Sequence, residues 1–179
     1  MSLKIYFAGP DVFRADDVEA LELQKQAAKA AGVVGVVPFD PGPDIRQQLA
    51  EDELGTPKHA MRIYQENYRL IDGADVIIAN LVPFRGASPD DGTAWELGYG
   101  AARGKRLYGY TQHAGQNYPD VIRTHFPEAY ARQQTDFPEL EAFGWTVNLM
   151  LQGSIEESGG AVLGSLEACL AHLKSNPPQ

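Results

Sequence analysis

The segment Ala74-Asp75-Val76-Ile77-Ile78-Ala79-Asn80-Leu81 constrains the fold of this chain more than any other. Its centre is apolar and β-branched and does not alternate with polar residues, as a half-exposed antiparallel strand would. Both of its faces must therefore be covered, which is the condition of a parallel strand flanked by helices. Two further apolar runs fit the same pattern. Ile5 to Ala8 is closed by Gly9-Pro10, and Val33-Val34-Gly35-Val36-Val37 is closed by Pro38. Between them, Asp16 to Ala31 sets Val18, Leu21, Ala28 and Ala31 near helical spacing, with acidic residues at its start and Gly32 at its stop. The opening reads as a βαβ unit.

The rest of the chain continues the alternation. A helix is predicted from about Lys58 to Ile71, stopped by Asp72-Gly73, and another from about Asp91 to Arg103, entered from a loop over Val82 to Asp90. Gly104 to Tyr110 reads as a turn and a strand, although Gly109 weakens a strand interior. Thr111 to Phe143 is the least regular stretch; a helix around Pro119 to Gln134 is expected there, in a lid or a subunit contact. Near the end, Val162, Leu163, Leu166, Cys169, Leu170 and Leu173 recur at helical spacing. The expectation is a single α/β domain over residues 1–179, a doubly wound, flavodoxin- or Rossmann-like parallel sheet with helices on both faces. Ligands of such sheets bind beyond the carboxyl ends of the strands.

Charge and composition narrow the function. With 24 Asp and Glu against 15 Lys and Arg, the formal net charge is -9, which disfavours nucleic acid and anionic membranes as partners. No apolar run approaches the ~20 residues of a membrane span, and the N-terminus lacks the pattern of a signal peptide. A soluble cytoplasmic protein acting on a small, neutral or weakly charged molecule is expected. The single Cys169 lies on the apolar side of a helical pattern and reads as a buried, inert thiol. His59, His113, His125 and His172 show no metal-ligand spacing, so neither a metal nor a cofactor is expected. The turn after the first strand has one glycine, a proline without an N–H, and Asp11; it is not built as a phosphate cradle.

Chemistry concentrates in Pro83-Phe84-Arg85-Gly86-Ala87-Ser88-Pro89-Asp90-Asp91-Gly92-Thr93-Ala94-Trp95-Glu96-Leu97-Gly98. Acidic residues open a helix here, and Glu96 projects from its second turn among the small residues Gly92, Ala94 and Gly98. Two carboxylates at a strand-end cleft can break a glycosidic bond, one attacking or stabilising the anomeric carbon while the other handles the leaving group's proton. The plainer reading makes Asp90 or Asp91 an N-cap and Glu96 a surface residue or a partner of Arg103. Spacing alone favours that plainer reading. Tyr6, near the end of the first strand, is either a core aromatic or points its hydroxyl into the cleft, and Trp95 is expected in the core.

These segments together resemble the nucleoside 2-deoxyribosyltransferases. The resemblance is carried by Ile5-Tyr6-Phe7-Ala8-Gly9-Pro10-Asp11-Val12-Phe13, Asp44-Ile45-Arg46, Pro83-Phe84-Arg85-Gly86, Pro89 to Gly98, and Asn148-Leu149-Met150, in the family's order. It implies that Glu96 is a nucleophile forming a covalent 2-deoxyribosyl intermediate, that Tyr6 holds the Glu96 carboxylate, and that Asp90 faces the base and helps to supply its proton. It also implies substrate contacts for Gly9, Phe13, Asn67, Arg85, Gly92, Asn148 and Met150. Asn148 would reach the sugar hydroxyls across a subunit boundary, in a homo-oligomer whose active sites are shared. The implied substrates are a 2'-deoxyribonucleoside and a free nucleobase. Asn67 departs from the aspartate of some relatives, and the chain ends in Pro177-Pro178-Gln179 where relatives often end in an aromatic residue.

Two alternatives stay open. One is a hydrolase that cleaves the N-glycosidic bond of 2'-deoxynucleoside 5'-monophosphates, in which Arg46 and Arg85 would meet the phosphate. The other is a nucleoside- or nucleotide-binding module without turnover.

Overall fold

The computed structural model describes residues 2–38, 51–136, 138–139 and 141–178. The Asp44 to Arg46 block therefore lies outside the described residues. Five strands form one parallel sheet in the order β2-β1-β3-β4-β5: β1 Lys4–Ala8, β2 Val34–Val36, β3 Val76–Asn80, β4 Arg106–Tyr110 and β5 Val162–Leu163. This is the flavodoxin-like strand order, in which the chain leaves β1 on one side for β2 and on the other for β3. Seven α-helices accompany the sheet among the described residues: α1 Asp17–Ala30, α2 Pro57–Asp72, α3 Asp91–Ala102, α4 Tyr118–His125, α5 Pro127–Asp136, α6 Leu149–Glu157 and α7 Leu166–Ser175. None is long and apolar enough to cross a membrane.

The central strand β3 is buried at every position, as its unbroken apolar run requires. The pleat sends successive residues to opposite faces, and two cores result. One packs Ile5, Phe7, Val76, Ile78 and Tyr108 against Ala28 of α1 and Leu166, Cys169, Leu170 and Leu173 of α7. The other packs Tyr6, Ala8, Ile77, Ala79 and Leu107 against Leu70 and Ile71 of α2, Leu97 of α3 and Ile155 of α6. Gly100 sets how closely α3 lies on the sheet, since a Cβ there would stand 2.3 Å from Ile77 Cδ1 and 3.0 Å from Leu107 Cδ2. That close seat lowers the second turn of α3 toward the end of β1.

Two local expectations are corrected, and one helix is added. The helix read over Pro119 to Gln134 is two helices, because Pro127 has no N–H to continue α4 and starts α5 instead. Val162 and Leu163 are not helical; they pair with Gly109 and Tyr110 as β5, and α7 begins only after Ser165, whose side chain accepts from the Ala168 N–H. The helix α6, which follows the Asn148 cap, was not anticipated, since Gly153 and Ser154 dilute its apolar pattern. Gly109 in β4 admits Leu81, whose Cδ1 would be 2.3 Å from a Cβ at that position.

Candidate active site

Tyr6 and Glu96 meet at the C-terminal end of the sheet. The Tyr6 hydroxyl donates to Glu96 Oε1 at 2.6 Å, joining residues 90 apart in sequence. Tyr6 reconciles the two options open from sequence: its ring is fully buried in the core and its hydroxyl reaches the cleft. Burial, the Glu96 charge and the hydrogen bond together hold the phenol well above its ordinary pKa, so it remains a donor. Glu96 is half-buried and makes no pair with Arg103, which binds Asp72 instead. Burial pushes the Glu96 carboxyl up to about 7; the Tyr6 hydrogen bond works against that rise and the Asp90 charge adds to it.

Asp90 caps α3. Its Oδ2 accepts from the Thr93 N–H at 2.9 Å and from Thr93 Oγ1 at 3.1 Å. The plain reading of Asp90 as an N-cap is thus correct, and both bonds fall on one oxygen, which leaves Oδ1 outside the cap. Gly92 keeps this end of the helix open, since a Cβ there would stand 2.9 Å from Asp90 Oδ2. Asp11 follows the Gly9-Pro10 turn and faces inward, accepting from Asn80 Nδ2 at 2.9 Å and Gln24 Nε2 at 3.0 Å. Gly9, at φ 156°, lets the turn close on β3: a Cβ would lie 2.7 Å from Asn80 Cβ.

A cavity of about 300 Å³ opens on Glu96, lined by Tyr64, Asn67, Gly92, Trp95 and Glu96. That volume is at the lower end of small-molecule sites. Asn67 brings an amide whose Oδ1 is buried without a hydrogen-bond partner, an arrangement that favours a donor from a ligand. Trp95 is not in the core. It is 45% exposed, stacks on Tyr99 at 5.3 Å and meets Tyr64 edge-on at 5.5 Å. Sequence reading missed Tyr64, although its spacing from Asn67 and Tyr68 on α2 places the three on one side of that helix.

Phe13, Phe84 and Arg85 form a second group, on the loops that follow β1 and β3. The two rings stack at 5.2 Å, and the Arg85 guanidinium lies 5.3 Å from the Phe13 centroid and 4.6 Å from that of Phe84. Arg85 is the one non-glycine residue with positive φ, 53°, among those described. That conformation costs a side-chain-bearing residue roughly 1–2 kcal/mol.

Asn148 and Met150 do not line the Glu96 cavity. Asn148 caps α6 within its own chain, accepting from the Met150 N–H at 3.0 Å and donating from Nδ2 to Glu141 Oε1 at 2.7 Å. Glu141 also accepts from the Leu149 N–H at 2.8 Å, a role no sequence pattern signalled. The Met150 side chain projects outward, 72% exposed. Cys169 is fully buried, and burial pushes its thiol up to about 12, as an inert sulfur requires.

A carboxylate aligned by a buried phenol, with a second carboxylate at the same helix end and an aromatic-walled cavity beside it, can attack an electrophilic carbon and assist a leaving group. The sequence profile of the nucleoside 2-deoxyribosyltransferases matches residues 5–150. The chain belongs to that family. It is 34% identical over 173 residues to an uncharacterized protein of Schizosaccharomyces pombe, covering 88% of this chain and 79% of that one. Among solved structures it resembles a 2-desoxiribosyltransferase from Leishmania mexicana, with a TM-score of 0.71 and 32% identity over 98% of this chain and 99% of that one. A 2-deoxyribosyltransferase from Bacillus psychrosaccharolyticus shares the fold at a TM-score of 0.55 and 21% identity, over 92% and 88% of the two chains. That fold accounts for the strand order, in which the chain divides between β1 and β3, the ordinary place for a ligand in such sheets.

Proposed function

We propose that this protein is a nucleoside 2-deoxyribosyltransferase that exchanges the base of 2'-deoxyribonucleosides through a covalent intermediate on Glu96, with net retention at C1'. The observation that carries the reading is the 2.6 Å hydrogen bond from the buried Tyr6 hydroxyl to Glu96 Oε1. That bond fixes one carboxylate oxygen and aims the other. Glu96 attacks C1' as the C1'–N bond breaks, and the departing base takes its proton with the help of Asp90. A second base then attacks C1' from the opposite side, expelling Glu96. The 32% identity to the Leishmania mexicana enzyme, over nearly the full length of both chains, supports transfer as the activity. No cofactor takes part.

In this reading the chain works as one domain, in the cytoplasm, on a nucleoside and a free base, with no part for nucleic acid or membrane. It assembles as a homo-oligomer. The support is exposed apolar side chains: Tyr64 at 47% and Trp95 at 45% on the cavity, Met61 at 54% one turn before Tyr64 on α2, and Met150 at 72% at the head of α6. A neighbouring copy's Asn148 and Met150 would complete each cavity. Incubation with deoxyinosine, with and without adenine, tests the activity. Deoxyadenosine formed only with adenine supports transfer; base release from deoxyinosine 5'-monophosphate in a parallel incubation, without exchange, shows the hydrolase, and no product from either substrate shows a binding module.

The ionisation of Glu96 sets the pH dependence. Only the carboxylate attacks, so kcat/KM for the donor should rise with pH through about 7 and level off above it. Tyr6→Phe removes the hydrogen bond that favours the ionised form, so the same limb should move to higher pH and the plateau should fall by about tenfold. Thermal stability should change little, because the buried ring is retained. An unshifted profile in Tyr6→Phe would make the phenol a packing residue only.

A further inference from the structure

We propose that Arg85 is a positioning residue that acts through Phe13, clasping the Phe13 and Phe84 rings into a fixed aromatic platform for the nucleobase. Phe13 ends a single 3-10 turn, Pro10–Phe13, directly after β1, and its ring is 57% exposed. An exposed phenylalanine on so short a turn has little of its own to hold it. Its fixed contacts come from the neighbouring connection: Phe84 stacks on it with an interplanar angle of 23°, and the Arg85 guanidinium lies against both rings. A planar guanidinium suits this place because it combines cation–π attraction with flat packing.

The backbone is arranged to deliver that contact. Arg85 takes φ 53°, and the Phe84 N–H closes the turn on the Ser88 carbonyl at 2.9 Å. Ser88 Oγ in turn lies 3.3 Å from the Tyr118 hydroxyl, which ties the loop to α4. No ion pair occupies Arg85 among the described residues, whereas Arg14, just past Phe13, pairs with Asp16. In a chain of net charge -9, the Arg85 cation is thus committed to two aromatic rings rather than to a carboxylate. Strain in a non-glycine residue persists where the conformation serves a site.

What the platform recognises rests on the transferase reading: a flat, neutral heterocycle, the ligand that exposed aromatic rings suit. Loss of the clasp should weaken capture of the acceptor base without touching the reacting carboxylate. In transfer from deoxyinosine to adenine, Arg85→Ala should raise the KM for adenine by about tenfold with kcat within about twofold of wild type. Arg85→Lys should recover part of that loss, because an ammonium keeps the charge over the rings but not the flat packing. Phe13→Leu should raise the KM as much as Arg85→Ala does, and the double variant should be no worse than either single one. An unchanged KM, additive losses, or a loss confined to kcat would overturn the proposal. Ring position can be read without turnover. With 4-fluorophenylalanine incorporated, the fluorine resonance that vanishes in Phe13→Leu should move toward the value of the free amino acid in Arg85→Ala. An unmoved resonance would also overturn the clasp, whereas a wild-type protein that transfers nothing would overturn only the transferase reading.

Discussion

Glu96→Gln should fold as the parent does and lose base exchange by about four orders of magnitude or more, the scale of removing a nucleophile. The substitution is nearly isosteric, and the Tyr6 hydroxyl can still donate to the amide oxygen, so the geometry of the cleft is preserved while its nucleophile is not. Stability gives an independent check with a defined sign. Burial raises the folded carboxyl from 4.5 to about 7, so the fold favours its neutral form. Stability from this group is present below about 4.5 and is lost as pH rises through about 7. The neutral amide escapes that loss. The thermal midpoint of Glu96→Gln should exceed that of the parent near pH 8 and approach it in acid. Near-parental turnover in the folded variant would end the nucleophile assignment.

Asp90 caps α3 and, in the proposed mechanism, also assists the leaving base, and substitution can separate the two. Asp90→Ala should lose about 1 kcal/mol of stability with the cap to Thr93 and also about 10²–10⁴-fold in rate with the proton relay. Asp90→Ser keeps an N-cap acceptor at the head of α3 but has no ionisable group. Its stability in chemical denaturation should therefore recover, while its turnover stays as low as that of the alanine variant. Recovery of rate together with stability would show that Asp90 only holds the helix.

Some of this architecture was legible from local pattern. The unbroken apolar run at β3 announced a strand covered on both faces, and the Gly9-Pro10 and Asp72-Gly73 stops bounded β1 and α2 closely. The strand β5 was not legible, because two residues cannot show a period and Val162 and Leu163 continue the spacing of α7. Pro127 was present to be read as the break between α4 and α5, but the long polar stretch around it offered no apolar period to interrupt. At the site, spacing alone favoured the cap for Asp90, and the cap is there; family resemblance was needed to give Glu96 any chemistry. The Tyr6–Glu96 bond spans 90 residues and follows from the β1–β3 adjacency, which no local window contains. Trp95 escapes the ordinary expectation that a helix tryptophan is buried, because α2 and α3 leave Tyr64 and Trp95 exposed beside each other while only Tyr99 packs on the core.

The central claim is that the sugar waits on Glu96 between two half-reactions. Mixing the protein with deoxyinosine in the absence of any acceptor base, quenching in acid and weighing the peptide that contains Glu96 tests it directly. The expected result is a peptide heavier by one deoxyribosyl group, with the adduct discharged when adenine is added before the quench. A peptide of unmodified mass from protein that is visibly exchanging bases would contradict it, and would assign the reaction to direct displacement between donor and acceptor bound together.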